Sequence, residues 1–162
     1  MRWQLVQGLG ISSKFIGWFG GGGYSHVDVI TPTGALRGAR SDIIGGATKP
    51  GYFDRVPFYD RWIKRCIFTL AVDPAKEKRY WDFSNAQLGK PYDKRGILGF
   101  ATGERDWHDP SAWFCSEEVY ANCEHAEIFK HMPADAWKVD PGDLVFAFAQ
   151  AGATWEIIDG PV

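Results

Sequence analysis

The chain of 162 residues contains three cysteines, Cys66, Cys115 and Cys123. The number is odd and no Cys-x-x-Cys pair occurs, so neither a disulfide framework nor a zinc site is supported. A free cysteine is ordinarily a small buried hydrophobe, and Cys66, between Arg65 and Ile67 in a strand-like run, fits that description. No long basic run is present, the net charge is −2 and the isoelectric point is near 6.1. The electrostatic footprint of a nucleic-acid binder is therefore missing. No apolar stretch approaches the ~20 residues that span a bilayer. The first residues have one early Arg and no long apolar core, and Lys14 interrupts what there is. This is not a secretory leader pattern, and the expectation is a chain that folds where it is made or is exported without a cleaved leader. The Gly20–Gly23 run lacks a following Lys-Ser/Thr and leads into a strand pattern, which excludes a phosphate-binding P-loop. No repeat, low-complexity tract or linker interrupts the chain.

What is present suits a soluble globular protein. Hydrophobic residues make up 45% and aromatics 15%, with eight Trp, enough for one core, and the length fits a single domain over residues 1–162. The rings also allow an aromatic-lined groove. Ser12–Phe19 reads as a short helix or turn. Tyr24–Thr31 alternates β-branched and polar residues, as a half-buried strand does. The Pro32-Thr33-Gly34 turn predicts a hairpin to Ala35–Ala39, with Gly51–Pro57 a further strand and Arg61–Val72 a strongly strand-like run. Asp73-Pro74 is a helix start, and that helix runs to about Leu88 before Gly89 and Pro91. Lys90–Ala112 is long and irregular, as functional loops often are. A second helix opens near Phe114 and runs to about Glu127. Pro141-Gly142-Asp143 reads as a turn and Leu144–Phe148 as an apolar strand. The fold class is α+β, a mainly antiparallel sheet packed against at least two helices.

Two residues stand where chemistry needs them. Cys115, in Trp113-Phe114-Cys115-Ser116, lies where a loop enters a helix. Unpaired peptide N–H groups and the positive end of the helix dipole favour thiolate there, and the same N–H groups can stabilise an oxyanion. His26 opens a strand and is a candidate base. His108 is the second candidate base, while His125 and His131 read as surface residues.

Four blocks then resemble the NlpC/P60 superfamily of cysteine hydrolases. Its members have a helix ending in Gly-x-Pro-Tyr, a Cys-Ser pair opening the next helix, a Pro-Gly-Asp-Leu turn and strand, and a Ser-His-Val strand. Here Gly89-Lys90-Pro91-Tyr92, Cys115-Ser116 and Pro141-Gly142-Asp143-Leu144 occur in that order, but Ser25-His26-Val27 stands near the N-terminus. The cyclic order is kept with the cut moved to just before the His strand. That arrangement resembles the circularly permuted subgroup, the YiiX-like and lecithin:retinol acyltransferase-like proteins, and implies a permuted papain-like fold.

The resemblance implies roles. Cys115 is the nucleophile, His26 the base and later the acid, and Tyr92 helps to position the nucleophile or the oxyanion. The family orients its His with a polar residue on the following strand, but here that strand reads Ala-Leu-Arg-Gly-Ala-Arg-Ser. Arg37 and Arg40 cannot accept a hydrogen bond from imidazole. Asp28 is the alternative orienter, roughly 6.6 Å along the strand from His26 and on the same face; Asp42, a backbone carbonyl or water are others. Arg37 and Arg40 read either as solvated surface arginines or as ligands of a substrate carboxylate. Glu117 reads as a cap of the helix start. The implied activity is a cysteine peptidase or amidase without cofactor or metal. Its implied substrate is the peptide stem of bacterial peptidoglycan or another amide or acyl compound, with a phage or secretion-machinery partner as the route to the wall. Lipid-directed acyl transfer or thioester hydrolysis is a second enzymatic reading. A structural module that keeps the fold without turnover, as in a phage tail or effector complex, is a third.

Overall fold

The computed structural model describes residues 1–8, 23–43, 45–57, 62–96, 107, 109–129 and 135–160. Six strands form one antiparallel sheet: β1 Arg2–Gly8, β2 His26–Ile30, β3 Leu36–Arg40, β4 Gly51–Arg55, β5 Trp62–Thr69 and β6 Thr154–Asp159. Their order across the sheet is β4-β3-β2-β1-β5-β6, with every pairing antiparallel. Three α-helices accompany it among the described residues, α1 Pro74–Gln87, α2 Cys115–His125 and α3 Pro141–Gln150, with a 3-10 turn at Ala136–Lys138. The α+β class and the antiparallel sheet are as the periodicity predicts. The short helix expected at Ser12–Phe19 lies outside the described residues.

Register explains which face is dry. Trp3 opposes Val29 and Phe68, and Leu5 opposes Val27 and Cys66. All six side chains therefore share one face of the pleat, and all are buried. Helix α2 packs on β2 and β3 from this side and also against α1 and α3, adding Val119, Tyr120 and Cys123 to the core. Phe148 of α3 stacks on Phe68 with ring centres 4.9 Å apart. Burying each such large apolar side chain is worth about 1.5–3 kcal/mol. Trp3 Nε1–H reaches Tyr80 Oη at 3.2 Å, so its one polar atom is not stranded. Cys66 is a buried strand residue, as its flanks suggest.

Helix α1 starts where the sequence predicts. The Asp73 carboxylate accepts from the Ala75 N–H at 2.9 Å, Pro74 occupies the first turn, and Gly89 takes the left-handed φ of 89° just beyond the end. The segment Pro141–Phe148 corrects the sequence reading, because it is helix rather than turn and strand. Asp140 accepts from the Asp143 N–H at 2.9 Å and Asp143 accepts from the Asp140 N–H at 3.0 Å, a reciprocal cap that starts a helix with Pro141 in its first turn. Leu144, Ala147 and Phe148 are buried while Phe146 is 71% exposed. A strand would have put 144, 146 and 148 on one face, whereas helical spacing leaves Phe146 outside. Strands β1 and β6 were not read from the sequence. Among the described residues no helix is long and apolar enough to cross a membrane.

Candidate functional site

Helix α2 opens beside a short pairing of two loop segments. The Trp113 N–H donates to Pro91 O and the Asp93 N–H to Trp113 O, both at 3.0 Å, making Tyr92 and Trp113 an isolated parallel bridge. Asp93, buried, holds the surrounding turns. It accepts from the N–H groups of Arg95, Gly96 and Asp109 at 2.8, 3.0 and 2.9 Å. On the other side the same segment runs along β4, with the Tyr52 N–H donating to Lys90 O at 2.9 Å. A Cβ on Gly51 would lie 2.5 Å from that carbonyl oxygen, so the close approach requires glycine. Glu117 accepts from the Phe114 N–H at 3.2 Å, the capping role its position predicts, and burial raises its carboxyl to about 7. Ser116 Oγ donates to Val139 O at 2.7 Å. These anchors fix the first turn of α2, and Cys115 with it.

The Cys115 thiol is 1% exposed. Burial pushes its pKa up to about 12, against the opposing pull of the Val27 and Ser116 backbone N–H groups and of Arg40. The expectation of a thiol depressed below its free value is thus corrected, because removal of water outweighs what the helix terminus supplies. Val27 adjoins His26, so Cys115 sits against the strand that carries His26. Among the described residues no hydrogen bond joins the thiol to the imidazole.

His26 and Asp28 lie on the same face of β2, and His26 Nε2 is 2.8 Å from Asp28 Oδ1. Of the orienters the sequence left open, Asp28 makes the contact. Burial lowers the His26 pKa below its ordinary value, so the ring is neutral at pH 7. Burial works to raise Asp28, but His26, Arg40 and the bond from Gln4 outweigh it and hold the carboxyl at about 2. An ionised carboxylate can only accept, so Nε2 carries the ring proton and Nδ1 keeps the lone pair. The other carboxylate oxygen, Oδ2, accepts from Gln4 Nε2 at 3.2 Å. Room for this carboxylate comes from the neighbouring strand, where a Cβ on Gly38 would lie 2.3 Å from Asp28 Oδ1.

The two arginines divide. Arg40 forms a two-point pair with Asp42, Nε to Oδ1 at 2.8 Å and Nη2 to Oδ2 at 3.0 Å, and its charge acts on Cys115, Asp28 and Tyr92. Asp42 therefore holds Arg40 rather than His26. Arg37 points to the helix face instead, bonded to Asp54 at 2.9 Å, Ser84 at 3.0 Å and Asn85 at 2.7 Å, with its guanidinium over the Trp81 ring. It is neither a solvated arginine nor a neighbour of Cys115, which corrects its expected place. Its neighbour Ser84 shares a 2.7 Å hydrogen bond with Tyr52 Oη, and Tyr52 borders the buried Glu118. Burial raises the Glu118 carboxyl to about 8; Oε1 accepts from Asn122 Nδ2 while Oε2 meets no hydrogen-bond donor within bonding distance among the described residues.

Tyr92 is buried with its ring 6.1 Å from that of Phe114. Burial first, and then the neighbouring Cys115, push its hydroxyl well above 10, so it is a neutral donor beside the thiol. Cys115, Asp28, Tyr92 and Arg40 thus lie within reach of one another's charge, His26 joins them through its bond to Asp28, and Arg37 stands apart beside α1. Sequence reasoning missed Gln4, Gly38 and Asp93. The alternation in Trp3-Gln4-Leu5-Val6 was the available signal for β1 and hence for Gln4. His108 and His131 lie outside the described residues, and His125 is exposed and stacked on Phe83. Among the described residues no three His, Cys, Asp or Glu side chains gather as a metal-ligand set. No family model matches the chain, and no curated protein matches its sequence.

Proposed function

We propose that this chain is a cysteine hydrolase of the circularly permuted NlpC/P60 kind, a papain-like fold, acting on an amide bond of a carboxylate-bearing peptide such as the stem of bacterial peptidoglycan. One observation carries the reading. The Asp28–His26 hydrogen bond leaves Nδ1 as a lone-pair base on the strand whose next residue, Val27, has its backbone beside the Cys115 thiol. The elements bearing the four motif blocks support it: α1 leads into Tyr92, α2 opens at Cys115, α3 opens at Pro141 and β2 opens at His26. The third block departs from the family pattern, since Pro141-Gly142-Asp143-Leu144 opens a helix here.

Thiol and imidazole are both neutral at rest, so the proton moves as the bond forms. His26 Nδ1 takes the Cys115 proton while sulfur attacks the carbonyl carbon, and the imidazolium is stabilised by Asp28. The carbonyl electrons pass to oxygen, where first-turn N–H groups of α2 and the Tyr92 hydroxyl are the available donors. His26 then gives its proton to the departing amine as the C–N bond breaks, leaving a thioester. Water attacks that thioester with His26 again as base, the C–S bond breaks, and the thiol is restored. Arg40 is the cation beside the nucleophile and suits a substrate carboxylate.

A second reading is a module that keeps the fold without turnover, and the near-complete burial of the thiol favours it. Product analysis by mass spectrometry on purified peptidoglycan separates the two. The hydrolase reading expects released peptide or free amino groups from the wild type and none from Cys115→Ala or His26→Ala. Products undiminished in Cys115→Ala would sink it. Cleavage of acyl thioesters or lipid amides alone would move the substrate to the lipid class.

A further inference from the structure

We propose that Gln4, on β1, is a positioning residue that fixes the Asp28–His26 pair in its working tautomer; its catalytic meaning rests on the cysteine-hydrolase reading. Register brings it there. In the β1–β2 pairing Gln4 opposes Asp28 and Val6 opposes His26, so Gln4 and Asp28 stand side by side on the same sheet face. Asp28 has two oxygens to satisfy in a place 1% exposed to water. Oδ1 takes His26 Nε2 at 2.8 Å and Oδ2 takes Gln4 Nε2 at 3.2 Å. Gln4 is itself 3% exposed, and its other amide atom, Oε1, faces Arg65 Nη1 at 3.5 Å. That contact orients the amide so that its NH2 end meets the carboxylate.

The consequence is geometric. A carboxylate held at only one oxygen can swing about its Cβ–Cγ bond, and the imidazole it orients is then free to exchange the proton between its nitrogens. Held at both oxygens, Asp28 presents Oδ1 to Nε2 in one direction, and Nδ1 remains the base. An amide does this without adding charge. A carboxylate at position 4 would repel Asp28, and a cation there would compete with His26 for it. Asp28 also faces the charges of Arg40 and Arg55, and Cys115 feels its charge. The amide is therefore the neutral member of a charged surround.

The test reads the tautomer directly. In long-range nitrogen–proton NMR spectra the wild-type His26 ring should show a single neutral form with the proton on Nε2. Gln4→Met, which keeps length and removes the donor, should give a mixture of both tautomers, and kcat should fall about tenfold or more with KM nearly unchanged. In the wild type itself, the Gln4 side-chain amide resonances should move as His26 is protonated on lowering the pH, whether or not the variant folds. A folded Gln4→Met with an unaltered His26 spectrum, or wild-type amide signals indifferent to that titration, overturns the proposal. If neither protein turns over any substrate, the hydrolase reading fails while the tautomer result still stands or falls alone.

Discussion

Replacing Gly38 with alanine puts a methyl carbon 2.3 Å from Asp28 Oδ1, 3.2 Å from its Cγ and 3.0 Å from the Val27 carbonyl oxygen. Non-bonded carbon and oxygen rest at about 3.4 Å, so the carboxylate must retreat by about 1 Å or the strands must part. The backbone oxygen of Val27 is held by the sheet, so Asp28 is the atom group that moves. Its bonds to His26 at 2.8 Å and Gln4 at 3.2 Å cannot both survive that shift. Overpacking costs ~1–3 kcal/mol, and weakening the hydrogen bonds of a buried carboxylate costs ~1–3 kcal/mol. These effects overlap, so the expected loss is about 2–4 kcal/mol, or a Tm lower by about 5–15 °C. Gly34→Ala is the control. Gly34 also lies in the hairpin region, at φ 84° with nothing within 4 Å of a Cβ, so alanine there costs only ~1–2 kcal/mol of left-handed strain. Thermal unfolding of both variants, with turnover measured beside it, separates the two effects. Gly38→Ala should be the less stable variant and should lose turnover by about tenfold to a hundredfold, whereas Gly34→Ala should keep it. If Gly38→Ala matches the control in both measurements, the close packing of β3 on the Asp28 carboxylate is not what holds the pair.

Other outcomes follow from the same geometry. Asp28→Asn keeps the shape but removes the charge that stabilises imidazolium; kcat should fall about a hundredfold or more, and near-wild-type turnover would remove Asp28 from the site. Cys115, buried and raised to about 12, should react with iodoacetamide at pH 7 more slowly than a free thiol and faster as the pH rises; rapid labelling at pH 6, located by peptide mapping, would show a resting thiolate instead. Glu118 is raised from its unfolded range to about 8, so between pH ~4.5 and 8 the folded state holds a proton that the unfolded chain has lost, and stability falls as the pH rises, by up to ~1.4 kcal/mol per pH unit. Glu118→Gln should flatten that slope in urea unfolding and be the more stable protein at pH 8; a wild-type slope that persists in the variant would assign it to another group. Asp28 works in the opposite sense: its contribution is present above pH ~4 and is lost as the pH falls toward about 2, which acid unfolding of wild type against Asp28→Asn reads out.

What local sequence determined, it determined well. The Pro32-Thr33-Gly34 turn specifies the β2–β3 hairpin, Asp73-Pro74 and Gly89 bound α1, and the loop-to-helix step at Phe114 places Cys115 on a first turn. Each depends on groups within about four residues, whose hydrogen bonds and dihedral preferences travel with the sequence. The His26–Asp28 contact was legible for the same reason, since strand periodicity alone puts both on one face. The apolar run Leu144–Phe148 fits either period, and its helical form follows from the Asp140–Asp143 cap and from which side the core lies. Only tertiary structure decided the rest. Gln4 meets Asp28 through a strand pairing across 24 residues, Arg37 turns to α1 while Arg40 joins the thiol, and Gly38 makes room for a carboxylate on its neighbour. The thiol's pKa was misread from sequence because the helix start is a local feature, whereas the desolvation that overrides it is a sum over every atom packed around Cys115, and no stretch of sequence contains that sum.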